Sequence, residues 1–447
     1  MLARARFIKL SIILILMGYK QGDKVKVITK DKEYVGIVMP HETHNLVIKL
    51  DNGYNVGIDK ANIEKTEIIE KFSPTEREQK EVKTKKGLPS ILILHTGGTI
   101  ASKVDYQTGG VVSRFEPEEI LAMFPELRDI ANIDSKLLTN IWSENITFKH
   151  LKKWATQIAE EIKNNSALKG IIMTQGTDNL TTVSSALAFM LQNCPIPVII
   201  VGAQRSSDRG SSDAAMNLIC AAEFIAKTDF SGVTVCMHKQ EDDTLCHILP
   251  PCKARKMHSS RRDAFRPINA KPYATVDYNT RKINWIDKPE IEQAEFKLKP
   301  EMEEKVGIVK TYINFNPKLF EAFKGYKGLI IEGTGLGQAP VFAQDKDSDK
   351  NKLNFKALEE LIESGTLVFM TTQTVYGSVQ MHVYSAGIDL VKAGVVEAKM
   401  LAETAYIKLA WLLGNYPKED RDKIKEMMQK NMIGEVFTRI EEDTFLI

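Results

Sequence analysis

The spacing of apolar and polar positions changes three times along the chain. From residue 23 to about residue 69, apolar and polar positions alternate in short runs, predicting strands over 24–29, 34–40, 45–50 and 56–58. Turn signals such as Asp51-Asn52-Gly53 separate them, which describes a small antiparallel barrel of the SH3-like kind. Residues 71–87 are rich in Lys and Glu, contain Pro74 and have almost no apolar positions, as a solvated linker does. After Pro89 the apolar runs become continuous. Those at 91–94, 170–173, 198–201 and 233–237 alternate with helical stretches at 151–162, 182–191 and 214–226. Such alternation predicts parallel sheets with crossover helices. A polar, hairpin-like stretch (273–300) interrupts. A second set then follows, with strands at 306–311, 328–331 and 367–370 and helices at 355–363, 386–393 and 404–413. The expected architecture is α/β, with two α/β domains at 89–300 and 301–447. A small β-barrel domain at 18–70 and a charged linker at 71–88 precede them.

The first 17 residues stand apart. Arg4, Arg6 and Lys9 precede an apolar run at 12–17 that is short for a signal peptide and lacks a small-residue cleavage site. It is also far below the roughly 20 apolar residues that cross a bilayer. Met17 directly precedes GYKQGDKVKV, so residues 1–17 read as a start-site extension, and neither export nor membrane association is expected. Composition narrows the class further: 43% hydrophobic, 26% charged and a net charge of +2 describe an ordinary globular chain, not one wrapped in a basic footprint. Five cysteines without a CxxC pair argue against a disulfide scaffold and for a reducing, cytoplasmic location. Cys246, His247 and Cys252 would make a metal site short of its fourth ligand, so free thiols and no metal are expected.

Two strings carry the candidate chemistry: HTGGTI at 95–100 and TQGTDNL at 174–180. Each follows a predicted buried strand and sets glycines and threonines where the strand gives way to a helix. Ligands of open α/β sheets bind at these carboxyl ends. Neither string has the GxGxxG or GK[ST] spacing of a nucleotide loop, so a hydroxyl-based site is the sharper inference. An alkyl hydroxyl becomes a nucleophile only when a base takes its proton and donors stabilise the oxyanion. Thr99 beside Gly97-Gly98 suits that role, with Thr96 its competitor, and both hydroxyls could instead cap a turn. Thr177-Asp178 sets a hydroxyl beside a carboxylate, although Asp178 or Asn179 could equally cap the following helix. Lys256, in ARKMHSSRRDAF, would be a base if buried, or part of a surface cluster. His95 ends an apolar strand and reads as a packed histidine.

TGGTIA and TQGTD, followed by GAQRSSDRGSSDAAMNL at 202–218 and by Lys256 upstream of Ala264-Phe265, resemble the bacterial-type L-asparaginase/glutaminase family from about residue 88 to the C-terminus. The resemblance implies that Thr99 is the primary nucleophile and that Thr177, Asp178 and Lys256 form a second catalytic group. It also implies that Tyr106 lies on a mobile active-site loop, that Ser143 and Glu144 hold the substrate's α-carboxylate and α-amino ends, and that Gly98 lines the substrate site.

Three features depart from free-standing asparaginases: the N-terminal β-domain with its linker, Leu336 in GTGLGQAP at 333–340, and the Arg-rich stretch around Lys256. In these the chain resembles the D-type subunits of archaeal-type glutamyl-tRNA(Gln) amidotransferases. That resemblance implies a glutaminase that passes ammonia to an E-type partner subunit, which amidates Glu-tRNA(Gln) using ATP and Mg2+. It implies a homodimeric core within a heterotetramer, no cofactor in this chain, and contact with tRNA mainly through the partner. The alternative is a free-standing cytoplasmic L-asparaginase.

Overall fold

A computed structural model describes residues 18–39, 45–51, 54–72, 85–98, 102–104, 111–113, 120–121, 123–205, 210–290 and 294–445. The start-site extension and most of the charged linker lie outside them.

The N-terminal module is a five-stranded antiparallel sheet in the order Asn55–Ile58, Leu46–Leu50, Glu33–Val38, Lys24–Thr29, Ile63–Glu70. Alternate residues Val25, Val27, Val38, Leu46, Ile48 and Ile58 point inward and close a small core with Tyr19. The alternating pattern predicts four of these strands. The fifth, Ile63–Glu70, is exposed along nearly its whole length and pairs with the first strand across two register shifts. Its side chains therefore carry little burial signal.

The larger α/β domain is built on an eight-stranded sheet. Five strands, Asn132–Leu137, Ser90–His95, Leu168–Thr174, Pro197–Val201 and Gly232–His238, run parallel. Their side chains alternate between two buried layers: Leu92, Leu94, Ile171 and Met173 face one, Ile91, Ile93 and Ile172 the other. Helices Phe148–Asn164 and Leu180–Met190 cover the first face and Ala214–Lys227 the second, which is why the central strands read as unbroken apolar runs. The sheet then continues antiparallel through Leu245–Leu249, Ala274–Asp277 and Ile283–Trp285. The polar stretch from 273, read as hairpin-like, does form a hairpin, and instead of interrupting the domain it supplies the sheet's last two strands.

The smaller α/β unit has four parallel strands, Val306–Lys310, Gly328–Gly333, Leu367–Thr372 and Val396–Glu397. Its helix Ala402–Asn415 packs against Leu180–Met190 of the larger domain, with Phe189 stacked on Trp411 at 5.4 Å. One continuous core thus joins the two sheets, and hydrogen bonds such as Ser185 to Thr404 at 3.1 Å fix the helix register. Among the described residues no helix is long and apolar enough to cross a membrane.

Candidate active site

Sheet register decides what meets at the carboxyl ends of the strands. Thr174 pairs with His95 on one side and with Val201 on the other, so the loops after residues 95, 174 and 201 leave the sheet side by side. Glycines allow the closest approaches, of the first loop to the second at Gly176 and to the neighbouring stretch at Ile141. Gly97 and Gly98 both have positive φ (+113° and +86°). A Cβ on Gly97 would stand 2.5 Å from the Ile141 carbonyl oxygen, and one on Gly98 2.8 Å from the Gly176 nitrogen.

Side-chain hydrogen bonds then tie the loops together. The Ser143 hydroxyl donates to the Gly176 carbonyl at 2.9 Å and accepts from the Asn179 amide at 2.9 Å, while Asn179 Nδ2 donates to the Ser143 carbonyl at 2.7 Å. Asn179 occupies the N-cap position of Leu180–Met190 but makes no side-chain cap bond there; its amide is engaged with Ser143. Thr96 is buried, with its hydroxyl against the Thr174 carbonyl at 2.8 Å and Gln175 Oε1 at 2.7 Å, a packing role that leaves it no access to a substrate. His95 Nδ1 lies 2.8 Å from Thr174 Oγ1, and burial pushes its pKa down to about 3, so the ring is neutral and structural.

Lys256 arrives from a separate hairpin, Ala254–Lys256 paired with Phe265–Pro267. Its Nζ donates to Thr177 Oγ1 at 2.9 Å and to Asp178 Oδ1 at 2.8 Å. Asp178 is therefore engaged with the lysine and is not capping the helix. The lysine side chain is only 17% exposed, whereas the Asp178 side chain is 67% exposed. A hydroxyl, an amine and a carboxylate distant in sequence converge here, as a proton-transfer group requires. Glu144 is exposed in the short turn Ser143–Asn145. Thr99 and Tyr106 lie outside the described residues.

Sequence reasoning gave no role to the loop that backs this group. Thr177 Oγ1 donates to Gln204 Oε1 at 3.2 Å, and a Cβ on Gly202 would stand 2.7 Å from the Thr177 methyl. The fully buried Asp213 accepts from the backbone amides of Gln204 at 3.0 Å and Arg205 at 2.9 Å, pinning that loop to the start of helix Ala214–Lys227. The motif GAQRSSDRGSSD contains all of these residues, but nothing in its spacing singles out Gln204.

Two other expectations resolve clearly. The arginines around Lys256 are not a bare basic patch: Arg255 pairs with Glu403, Arg261 and Arg266 with Asp263, and Arg262 with Asp243. Cys246 and Cys252 sit in opposite layers of the sheet, so they cannot share a metal with His247, and all five cysteines are buried free thiols. Among the described residues no cluster of three or more His, Cys, Asp or Glu could hold a metal ion.

Comparison with known proteins agrees with this geometry. Residues 90–290 match the model for "Asparaginase, N-terminal", residues 305–428 that for "Glutaminase/Asparaginase C-terminal domain" and residues 19–69 that for "GatD N-terminal domain". The D-type subunit of glutamyl-tRNA(Gln) amidotransferase from Pyrococcus furiosus is 43% identical over 445 residues, covering 96% of this chain and 98% of the relative. Its namesake from Archaeoglobus fulgidus is 43% identical over 420 residues, covering 93% and 95%. Among solved structures, the thermostable L-asparaginase from Thermococcus kodakarensis superposes with a TM-score of 0.69 at 29% identity, covering 78% of this chain and 99% of its own. The fold, the N-terminal module and the near full-length identity together mean that this chain belongs to the family of D-type glutamyl-tRNA(Gln) amidotransferase subunits, within the larger asparaginase/glutaminase family.

Proposed function

We propose that this chain is the amide-hydrolysing subunit of a glutamyl-tRNA(Gln) amidotransferase, releasing ammonia from glutamine for a partner subunit. The observation that carries the reading is the convergence of Lys256 on Thr177 and Asp178 at the end of the sheet, next to the loop that leads into Thr99. In this reading the site works as a two-stage amidohydrolase. Thr99 Oγ attacks the glutamine carboxamide, forming a tetrahedral intermediate whose oxyanion is held by backbone N–H groups. The C–N bond breaks, ammonia leaves with a proton, and a glutamyl ester remains on Thr99. Water activated by the Thr177, Asp178 and Lys256 group then attacks that ester and frees glutamate.

The ammonia would pass to an E-type subunit, where glutamate on tRNA(Gln) is activated with ATP and Mg2+. The salt-bridged arginines around Lys256 support assigning contact with tRNA mainly to that partner, because each is already paired with a carboxylate, Arg261 and Arg266 sharing Asp263. A homodimeric core in a heterotetramer and a cytoplasmic location complete the proposal. The match to the N-terminal module favours it over a free-standing L-asparaginase, since the solved asparaginase leaves about a fifth of this chain uncovered.

The test is ammonia release from glutamine by the full chain, with and without the partner, for wild type, Thr99→Ala and Lys256→Met. Loss of at least 10³-fold in both variants, with melting temperature nearly unchanged, is the expected result. Ammonia release that survives Thr99→Ala would overturn the assignment.

A further inference from the structure

Thr177 is held from two sides by a loop to which the reaction scheme gives no part. We infer that Gln204 is a positioning residue that sets the direction of the Thr177 hydroxyl proton; the inference rests on the amidohydrolase reading above.

A hydroxyl has one proton and two acceptor lone pairs. One lone pair of Thr177 Oγ1 accepts from Lys256 Nζ at 2.9 Å, and the proton goes to Gln204 Oε1 at 3.2 Å. The second lone pair is therefore left to accept from a water. With the lysine charged, Gln204 is the acceptor that keeps the Thr177 proton out of the position where the attacking water must donate. When Lys256 is neutral, the proton can turn from Gln204 Oε1 to Lys256 Nζ. Transfer is then balanced: water gives a proton to Thr177 Oγ1, Thr177 gives its own to Lys256, and the hydroxide forms the new bond to the acyl carbon. Gln204 neither gains nor loses a proton.

The Thr177 methyl packs against Gly202, where a Cβ would approach it to 2.7 Å, and this contact leaves the hydroxyl facing Lys256 and Gln204. Gln204 is itself tied down through its backbone. Its backbone amide donates to both oxygens of Asp213 at 3.0 Å, and Asp213 is fully buried and also bound by Asn217 Nδ2 at 3.2 Å. Gln204 Nε2 is buried and has no partner among the described residues. The group is thus built around one bond, that from Thr177 to Oε1.

The experiment compares Gln204→Leu and Gln204→Glu with wild type in the full chain with its partner, following ammonia release over a range of glutamine concentrations. Gln204→Leu removes the acceptor at similar volume. It should lower kcat 10- to 100-fold with KM within about 3-fold, because the defect lies in proton direction and not in substrate binding. Gln204→Glu restores an acceptor but adds a negative charge near Lys256. It should recover at least a third of the wild-type kcat, because the acceptor for the Thr177 proton is back in place. A purely structural role would reduce the amount of folded protein and leave kcat per folded protein unchanged in both variants. Wild-type kcat per folded protein in both variants would overturn the role of Gln204 alone. Absence of ammonia release by the wild-type complex would overturn the amidohydrolase reading and this inference with it. Should Gln204→Leu not fold, Gln204→Met, which also lacks the carboxamide acceptor at similar volume, takes its place, and wild-type kcat per folded protein in it would overturn the role.

Discussion

Gly98→Ala is the sharpest single perturbation of the site, because an internal control separates its two effects. Gly98 has φ +86° and Gly325 has φ +85°, so alanine carries nearly the same left-handed penalty at both, about 1–2 kcal/mol. Their surroundings differ. A Cβ at Gly325 meets nothing within 4 Å, whereas at Gly98 it would meet the nitrogen and Cα of Gly176 at 2.8 and 2.9 Å. The approach falls roughly 0.6 Å short of the closest ordinary contact distance of 3.4 Å, and both neighbours are backbone, so the two loops must separate. Since a misplacement of about 1 Å can cost ~10²-fold in rate, Gly98→Ala should lose on the order of 10- to 100-fold in kcat/KM for ammonia release. Gly325→Ala should keep full activity. Both should lose about 1–2 kcal/mol of stability, with Gly98→Ala the less stable. The assay is coupled ammonia detection alongside thermal melts on the same preparations. Gly98→Ala within twofold of Gly325→Ala in kcat/KM would refute the argument that close contact between the two loops sets the site.

Other outcomes follow from the same structure. Thr177→Val keeps the shape but removes the atom between Lys256 and Gln204, so ammonia release should fall at least 10³-fold, while Thr177→Ser retains it within about tenfold. Lys408 and Glu435 form a fully buried pair at 2.5 Å, and the lysine also donates to the Met428 and Lys430 carbonyls. Lys408→Met should therefore destabilise by about 3–5 kcal/mol, read by calorimetry. Adding Glu435→Leu should recover only part of that loss, because the Met432 and Ile433 amides lose their acceptor. Burial pushes His247 down to about 3, against a value near 6.5 when unfolded. Below pH 6.5 the unfolded chain binds the extra proton, so stability is lost as pH falls from 6.5 toward 3. His247→Gln should shrink the stability difference between pH 7.5 and pH 5 by about 2 kcal/mol, measured by denaturant titration at both values.

Much of the fold was legible because its central strands are buried on both faces: runs such as those at 91–94 and 198–201 could hardly be anything but interior parallel strands. The exposed strand Ile63–Glu70 was obscure for the opposite reason, and the hairpin from 273 could be read but not its place in the large sheet, since register and backbone pairing, not apolar pattern, hold them there. At the site, the glycines and threonines could be read as loop chemistry, yet whether Asp178 capped a helix or held Lys256 depended on a hairpin 78 residues away in sequence. Gln204 was invisible for the same reason. It matters only because parallel register sets the end of Pro197–Val201 beside Thr174, and no local pattern encodes that neighbour.

The most direct test of the central claim is ammonia release from glutamine and from asparagine by the purified chain, alone and then with the E-type partner and glutamyl-tRNA(Gln). The account predicts slow turnover of the isolated chain, and a rise with partner and charged tRNA that is matched by formation of glutaminyl-tRNA. Rapid hydrolysis of asparagine by the chain alone, unchanged by partner or tRNA, would contradict it.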